Sequence, residues 1–164
     1  MKTPYLMAMA LAALLAVSGQ TNAGEKELDK NQVPKAVIAA FEKAYPKAKD
    51  VAFEQEMFQG QTAYEAEYKK NGKEYELLYS ADGTLLQKEE EMDVAKLPKP
   101  VVEAIKKAHP KAKIEEAEKR MEPDGTLTGY EVEINAAGKK IELELDSNGK
   151  MMPIQITDEP TASR

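Results

Sequence analysis

Tyr64, Ala66 and Tyr68 alternate with Glu65 and Glu67, and Tyr75, Leu77 and Tyr79 alternate with Glu74 and Glu76. A period of two predicts strands with one face buried and the other polar. Between them stands Asn71-Gly72, the pair that favours a two-residue type I′ hairpin turn. Counting outward from that turn pairs Tyr68 with Tyr75, Ala66 with Leu77 and Tyr64 with Tyr79. A slip of one residue would carry this whole apolar set to the other face, so the pattern specifies the register. The same arrangement returns further on, where Tyr130, Val132 and Ile134 are predicted to face Ile141, Leu143 and Leu145. Asp82-Gly83 and Asn148-Gly149 mark a further turn in each half, leading to strands predicted over 84–91 and 150–156. Strands ahead of the hairpins are predicted over 51–58 and 114–122.

A helix is predicted to precede each set of strands. Val37, Phe41, Ala44 and Tyr45 recur at helical spacing, as do Val101, Ile105, Ala108 and His109. Pro34 and Pro98 suit a first helical position, where the missing N–H costs nothing. Pro46 and Pro110 disfavour helix in the residue before them and end each segment. Three turns of helix are marginal alone in water, so each stripe must pack on its sheet.

These halves are copies of one another. Residues 33–49 match 97–113 at most positions, Tyr64-Glu65-Ala66-Glu67-Tyr68 matches Tyr130-Glu131-Val132-Glu133-Ile134, and 72–77 matches 138–143. Two extra residues in the second copy are placed in the loop at 122–129. The fold class expected is α+β: two tandem repeats, 33–91 and 97–156, each one helix followed by a four-stranded antiparallel sheet, with the helices on one sheet face. A unit this small has a limited core, so the copies, joined by a short linker at 92–96, are expected to pack together around a shared curved sheet. Residues 24–32 and 157–164 read as a loose segment and a flexible tail.

Composition adds an address. Lys2 is followed by an apolar run over 6–17 and by Thr21-Asn22-Ala23, with small residues where a signal peptidase reads. This predicts a secretory signal peptide over 1–23, cleaved near Ala23, and a periplasmic or secreted protein. The run is short for a bilayer span, so an uncleaved anchor is the lesser alternative. The chain has no Cys, which removes disulfides, thiol chemistry and lipid attachment through a cysteine. Loss of Lys2 with the leader takes the formal charge from −6 to −7. An acidic protein of this kind is a poor match for nucleic acid or anionic lipid, and no membrane association is expected after cleavage. The oligomeric state is left open.

Helix with a closing Pro, Tyr-Glu-x-Glu, Gly-Lys, a Glu-Leu strand and an Asp-Gly-type turn follow in the same order in both copies. This layout resembles PepSY-type domains, and most of all the PepSY-like family of secreted bacterial proteins similar to the β-lactamase inhibitor protein. The resemblance implies tandem helix-plus-sheet repeats. It also suggests binding or inhibition of another exported protein, such as a peptidase or hydrolase, and brings no catalytic motif to these residues.

The chemistry legible in the chain is acidic. Glu131 and Glu133 are predicted opposite Glu144 and Glu142, and Glu67 opposite Glu76, on the face away from the helices. With Glu65 these seven residues form the candidate partner-binding face. Like charges directly opposite destabilise a sheet, so water and salt, cations from Lys119, Arg120 or Lys150, a bound cation, or a basic partner must offset them. A solvated outer face is the plainest of these readings, and a calcium-responsive periplasmic protein using the acidic rows is the alternative function. No stretch has EF-hand spacing, and no metal or other cofactor is assigned. Glu89-Glu90-Glu91-Met92-Asp93 reads as a solvated connector. His109, the one histidine, falls at a helix end where packing or capping accounts for it, and without an orienting partner and nucleophile it marks no catalytic site. The chain is expected not to be an enzyme.

Overall fold

The computed structural model describes residues 26–152. The predicted signal peptide, its cleavage position, the 157–164 tail and most of the strand predicted over 150–156 lie outside the described residues. The described elements run β1 (Lys26–Glu27), α1 (Lys35–Ala44), β2 (Ala52–Phe58), β3 (Gln61–Lys70), β4 (Lys73–Ser80), β5 (Leu85–Glu91), a 3-10 turn (Val94–Lys96), α2 (Lys99–Ala108), β6 (Lys113–Met121), β7 (Leu127–Ala136) and β8 (Lys139–Asp146). All eight strands join one antiparallel sheet in sequence order, β1-β2-β3-β4-β5-β6-β7-β8. Each repeat contributes one helix and its strands to this single curled sheet. At the place of the last strand of the second repeat, Met151 makes an isolated bridge to Leu145.

The hairpins follow from their side-chain alternation. Tyr68 pairs with Tyr75, Ala66 with Leu77 and Tyr64 with Tyr79; Tyr130 pairs with Leu145, Val132 with Leu143 and Ile134 with Ile141. Asn71 and Gly72 both have positive φ, 56° and 78°, as a type I′ turn requires. The equivalent turn of the second repeat puts Ala137 at φ 56° before Gly138, so the geometry persists where the residue that favours it is gone. The extra length of the second repeat does fall between its first two strands, where the five residues 122–126 stand in place of the two-residue turn Gln59-Gly60.

Both helices pack on one face. Val37 and Phe41 join Phe53, Ala66, Tyr68, Leu77 and Tyr79 in one core. Val101 and Ile105 join Ala117, Tyr130, Val132, Ile134, Leu143 and Leu145 in the other. Of the predicted helical stripe, Ala44 and Ala108 are exposed instead. The helices begin one residue later than predicted, with Pro34 and Pro98 as extended caps rather than first helical residues. Tyr45 and His109 leave the helix at φ −127°, ψ 57° and φ −129°, ψ 72°, outside the helical region that a following proline disfavours. Gly83 and Gly149 tuck the later turn of each repeat under its helix: a Cβ at Gly83 would lie 2.6 Å from Ala36 O, and one at Gly149 2.5 Å from Pro100 O.

The segment 24–32 is not loose throughout. Lys26 and Glu27 pair with Gln55 and Glu54, Leu28 N donates to Phe53 O, and Val33 is buried in the first core. Leu28 packs on that core, and this apolar anchor draws two exposed residues onto the edge of β2.

Candidate functional site: an acidic sheet face

Alternation that sends tyrosine and aliphatic side chains under the helices sends glutamates the other way. The sheet register lines Glu67, Glu76, Glu89 and Arg120 across β3 to β6, and Glu91, Glu118, Glu131 and Glu144 across β5 to β8. Glu54 opposes Glu65, and Glu133 opposes Glu142. All seven residues of the predicted face (Glu65, Glu67, Glu76, Glu131, Glu133, Glu142 and Glu144) therefore share the side away from the helices, and none lies under them. Among the described residues, both apolar cores belong to the helix side.

This face is not the flat, solvated surface that the sequence suggested. All seven glutamates are half-buried. In a flat sheet β4 and β8 would stand four strand spacings apart, roughly 19 Å, well beyond the screening length of about 8 Å at physiological salt. Curling brings them into each other's field, and Glu142 on β8 helps to push Glu76 on β4 upward. The acids line a hollow.

Crowding leaves a clear electrostatic signature. Burial, then the charges of Glu76 and its neighbours, hold Glu65 well above the ordinary carboxylate range. Glu131 is raised in the same way by burial, Glu89 and Glu142. Glu76 is pushed up to about 8 by burial and by Glu89, and Glu118 to about 10 by burial, Glu76 and Glu89. Glu67 rises to about 7, chiefly because its carboxyl hydrogen-bonds Glu74, which is correspondingly lowered. A carboxyl forced up in this way is stabilised by taking a proton or by meeting positive charge.

Of the three cations considered from the sequence, Arg120 alone stands in the hollow. Its guanidinium pairs with Glu89, 3.4 Å from Nε, and with Glu144 through Nη1, while Nη2 donates to Gln87 Oε1 at 3.1 Å. Lys119 pairs in register with Glu90 and Tyr130 on the helix side, and Lys150 is exposed in the turn after β8. The acidic run 89–93 is also unlike a solvated connector. Glu89 to Glu91 complete β5, a central strand paired on both sides. Glu89 is buried with 8% of its surface exposed, Glu90 pairs with Lys73 at 2.6 Å, and Glu91 accepts from Glu74 N at 3.0 Å. Asp93 does remain exposed, where its carboxylate caps the 3-10 turn through Ala95 N. His109 occupies the C-cap of α2, donating its backbone N–H to Ile105 O.

The repeat seen in sequence and the two-helix curled sheet coincide with a family match over nearly all described residues. The model of the family described as "Putative beta-lactamase-inhibitor-like, PepSY-like" matches twice, over residues 19–87 and 86–153. The chain belongs to the PepSY-like family. Solved structures agree with the PepSY-like fold. A BLIP-like protein of Bacteroides fragilis is 22% identical, with 80% of this chain and 92% of that one covered and a TM-score of 0.50. A DUF2874 family protein of Bacteroides uniformis is 18% identical over 74% of this chain and 87% of that one, with a TM-score of 0.55. A protein of Bacteroides eggerthii, described among "putative periplasmic proteins", is 16% identical over 74% and 86%, with a TM-score of 0.56. No curated protein matches this PepSY-like chain. At these identities the structural relatives speak to fold.

Proposed function

We propose that this protein is a non-catalytic, exported binding module that docks another exported protein in the acidic hollow of its sheet. The observation that supports this reading is a curled face lined by glutamates from neighbouring strands, with Arg120 as the cation at its centre and no helix over it among the described residues. Crowded carboxylates are relieved by a partner that brings Lys or Arg side chains, and charge complementarity of this kind gives specificity and speeds association. The docking partner is therefore an exported protein with a convex, basic surface, and a basic peptidase or hydrolase held in this way would be inhibited if its active site faced the hollow. Export rests on the leader-like pattern at 1–23, and the periplasmic description of a structural relative is consistent with it.

The test uses the purified protein as bait for exported proteins, with bound partners cross-linked and identified by mass spectrometry. A second bait carries Glu67→Gln, Glu133→Gln and Glu142→Gln, and a third carries Lys35→Gln and Lys43→Gln on the exposed side of α1. The reading requires a basic partner cross-linked to the hollow, retained by the helix variant, lost by the hollow variant and weakened by salt. Equal capture by the hollow variant, or cross-links confined to the helices, would refute it.

A further inference from the structure

The repeats meet where β5 pairs with β6, and there the hollow is deepest in charge. Glu76 from β4, Glu89 from β5 and Glu118 from β6 each bring a carboxylate oxygen to within 4.8 Å of the other two. A second feature of the same spot is independent of that clustering. Glu89 is buried, 8% exposed, and its two oxygens have unlike surroundings. Oε1 is held by Gln87 Nε2 at 2.6 Å and faces Arg120 Nε at 3.4 Å. Oε2 is shielded from solvent and receives no N–H hydrogen bond within the described protein. The remaining neighbour of the Glu89 carboxyl is that of Glu118, which can serve it only by carrying a proton. A buried carboxylate oxygen without a donor is costly unless something positive completes it.

We propose that Glu76, Glu89 and Glu118 are the protein ligands of an oxygen-preferring divalent cation of the Ca2+ class, bound at the seam between the two repeats. Oxygens bound to Ca2+ at about 2.3–2.6 Å lie no more than roughly 5 Å apart even across the ion. The three carboxylates already meet that limit without backbone movement. Mg2+ requires shorter bonds in a stricter octahedron and gives up its water reluctantly, so a site built from three protein carboxylates favours Ca2+. The donor set is all carboxylate, with neither imidazole nor thiolate to select zinc or copper. A divalent ion would also offset much of the local charge: with Arg120, which engages both Glu89 and Glu144, it sets three positive charges against four carboxylates. Water from the open side of the hollow fills the remaining positions. An ion here ties two strands of the first repeat to one of the second, so binding should tighten the seam. This site goes beyond the docking reading and does not depend on it; failed partner capture would leave it standing.

Isothermal titration of the chelator-treated, dialysed protein with CaCl2 and then MgCl2, at pH 7.5 and fixed ionic strength, is paired with melting curves. The expected result is one saturable calcium site, a rise in melting temperature of several degrees at millimolar CaCl2, and affinity for Mg2+ at least tenfold weaker. Glu118→Gln and Glu89→Gln should each abolish both the heat and the shift, and Glu103→Gln on the exposed face of α2 should keep both. Glu118→Gln decides the matter if Glu89→Gln does not fold, because Glu118 is only partly buried. No saturable heat up to 10 mM CaCl2 (about tenfold beyond the weak limit of extracellular calcium modules) would overturn the proposal and leave Glu118 as the proton donor to Glu89. Saturation that survives Glu118→Gln would overturn it as well, by placing the ion elsewhere on the face.

Discussion

Replacing Arg120 by Met removes the charge at the centre of the hollow while keeping much of the apolar stem. The Arg120 side chain is 12% exposed, and those of Glu89 and Glu144 are 9% and 32% exposed. Breaking a buried pair from one side costs about 3–5 kcal/mol when the remaining charge has no escape. Glu89 does have one, because it can take a proton. Neutralising a carboxyl of ordinary value 4.5 at pH 7 costs about 1.4 kcal/mol for each of 2.5 pH units, or roughly 3 kcal/mol. At pH 5 the same step costs under about 1 kcal/mol. Arg120→Met should therefore lose about 2–3 kcal/mol at pH 7 and about 1 kcal/mol or less at pH 5. Adding Glu89→Gln should restore most of the loss at pH 7, giving a coupling energy of about 2 kcal/mol in a double-mutant cycle. Urea unfolding followed by far-UV circular dichroism measures this, since the chain has no Trp to report by fluorescence. A loss under about 0.5 kcal/mol at pH 7, or a loss independent of pH, would show that Arg120 is not the counter-charge of the hollow.

Other consequences follow from the same geometry. In chelator, stability should be greater at pH 5 than at pH 8 by on the order of 2–4 kcal/mol. Glu76 and Glu118 hold protons in the fold up to about 8 and about 10 that the unfolded chain releases near 4.5. Their contribution is complete below 4.5 and fades as pH climbs, through about 8 for Glu76 and about 10 for Glu118. Below about 4 the curve should turn down, as the lowered Glu74 and Glu90 become protonated. A urea midpoint that rises steadily from pH 5 to pH 8 would contradict this. Gly83→Ala should cost about 2–4 kcal/mol, because it combines φ +85° with a Cβ 2.6 Å from the Ala36 carbonyl; an unchanged urea midpoint would be inconsistent with that contact. Ala137→Asn should stabilise by about 0.5–1 kcal/mol, restoring at φ 56° a residue that tolerates the left-handed region, and a lowered midpoint would count against the turn assignment.

The sequence was most informative where one local rule sufficed. Asn71-Gly72 and the flanking alternation determine which tyrosines face each other, and the duplication carries that register to the second hairpin, although Ala137 there gives no turn signal. The same alternation placed all seven candidate glutamates on the side away from the helices. Burial of those glutamates was not legible, because it arises from sheet curl, which depends on how all eight strands pack together. Glu89 was missed for a related reason. Within an acidic run it resembles a solvated linker, and only the pairing of β5 with β6 makes it a central, buried residue. Glu118 belongs to β6, whose residues 115–118 lack the clean alternation of the hairpins and include a register shift between Ile114 and Glu116. The pairing of Lys26 and Glu27 follows from the anchoring of Leu28 and Val33 in the core, with two exposed polar residues giving no signal of their own.

The curled face forces carboxylates together until they must be met by positive charge or protons. Carbon-13 NMR of the glutamate side-chain carboxyls, followed through a pH titration in chelator, observes this directly. Glu65 and Glu131 should titrate well above the ordinary carboxylate range, with Glu67 titrating near 7. If all three instead ionise together with the exposed glutamates between pH 4 and 5, the hollow is an ordinary wet surface with no unmet charge to offer a partner or an ion.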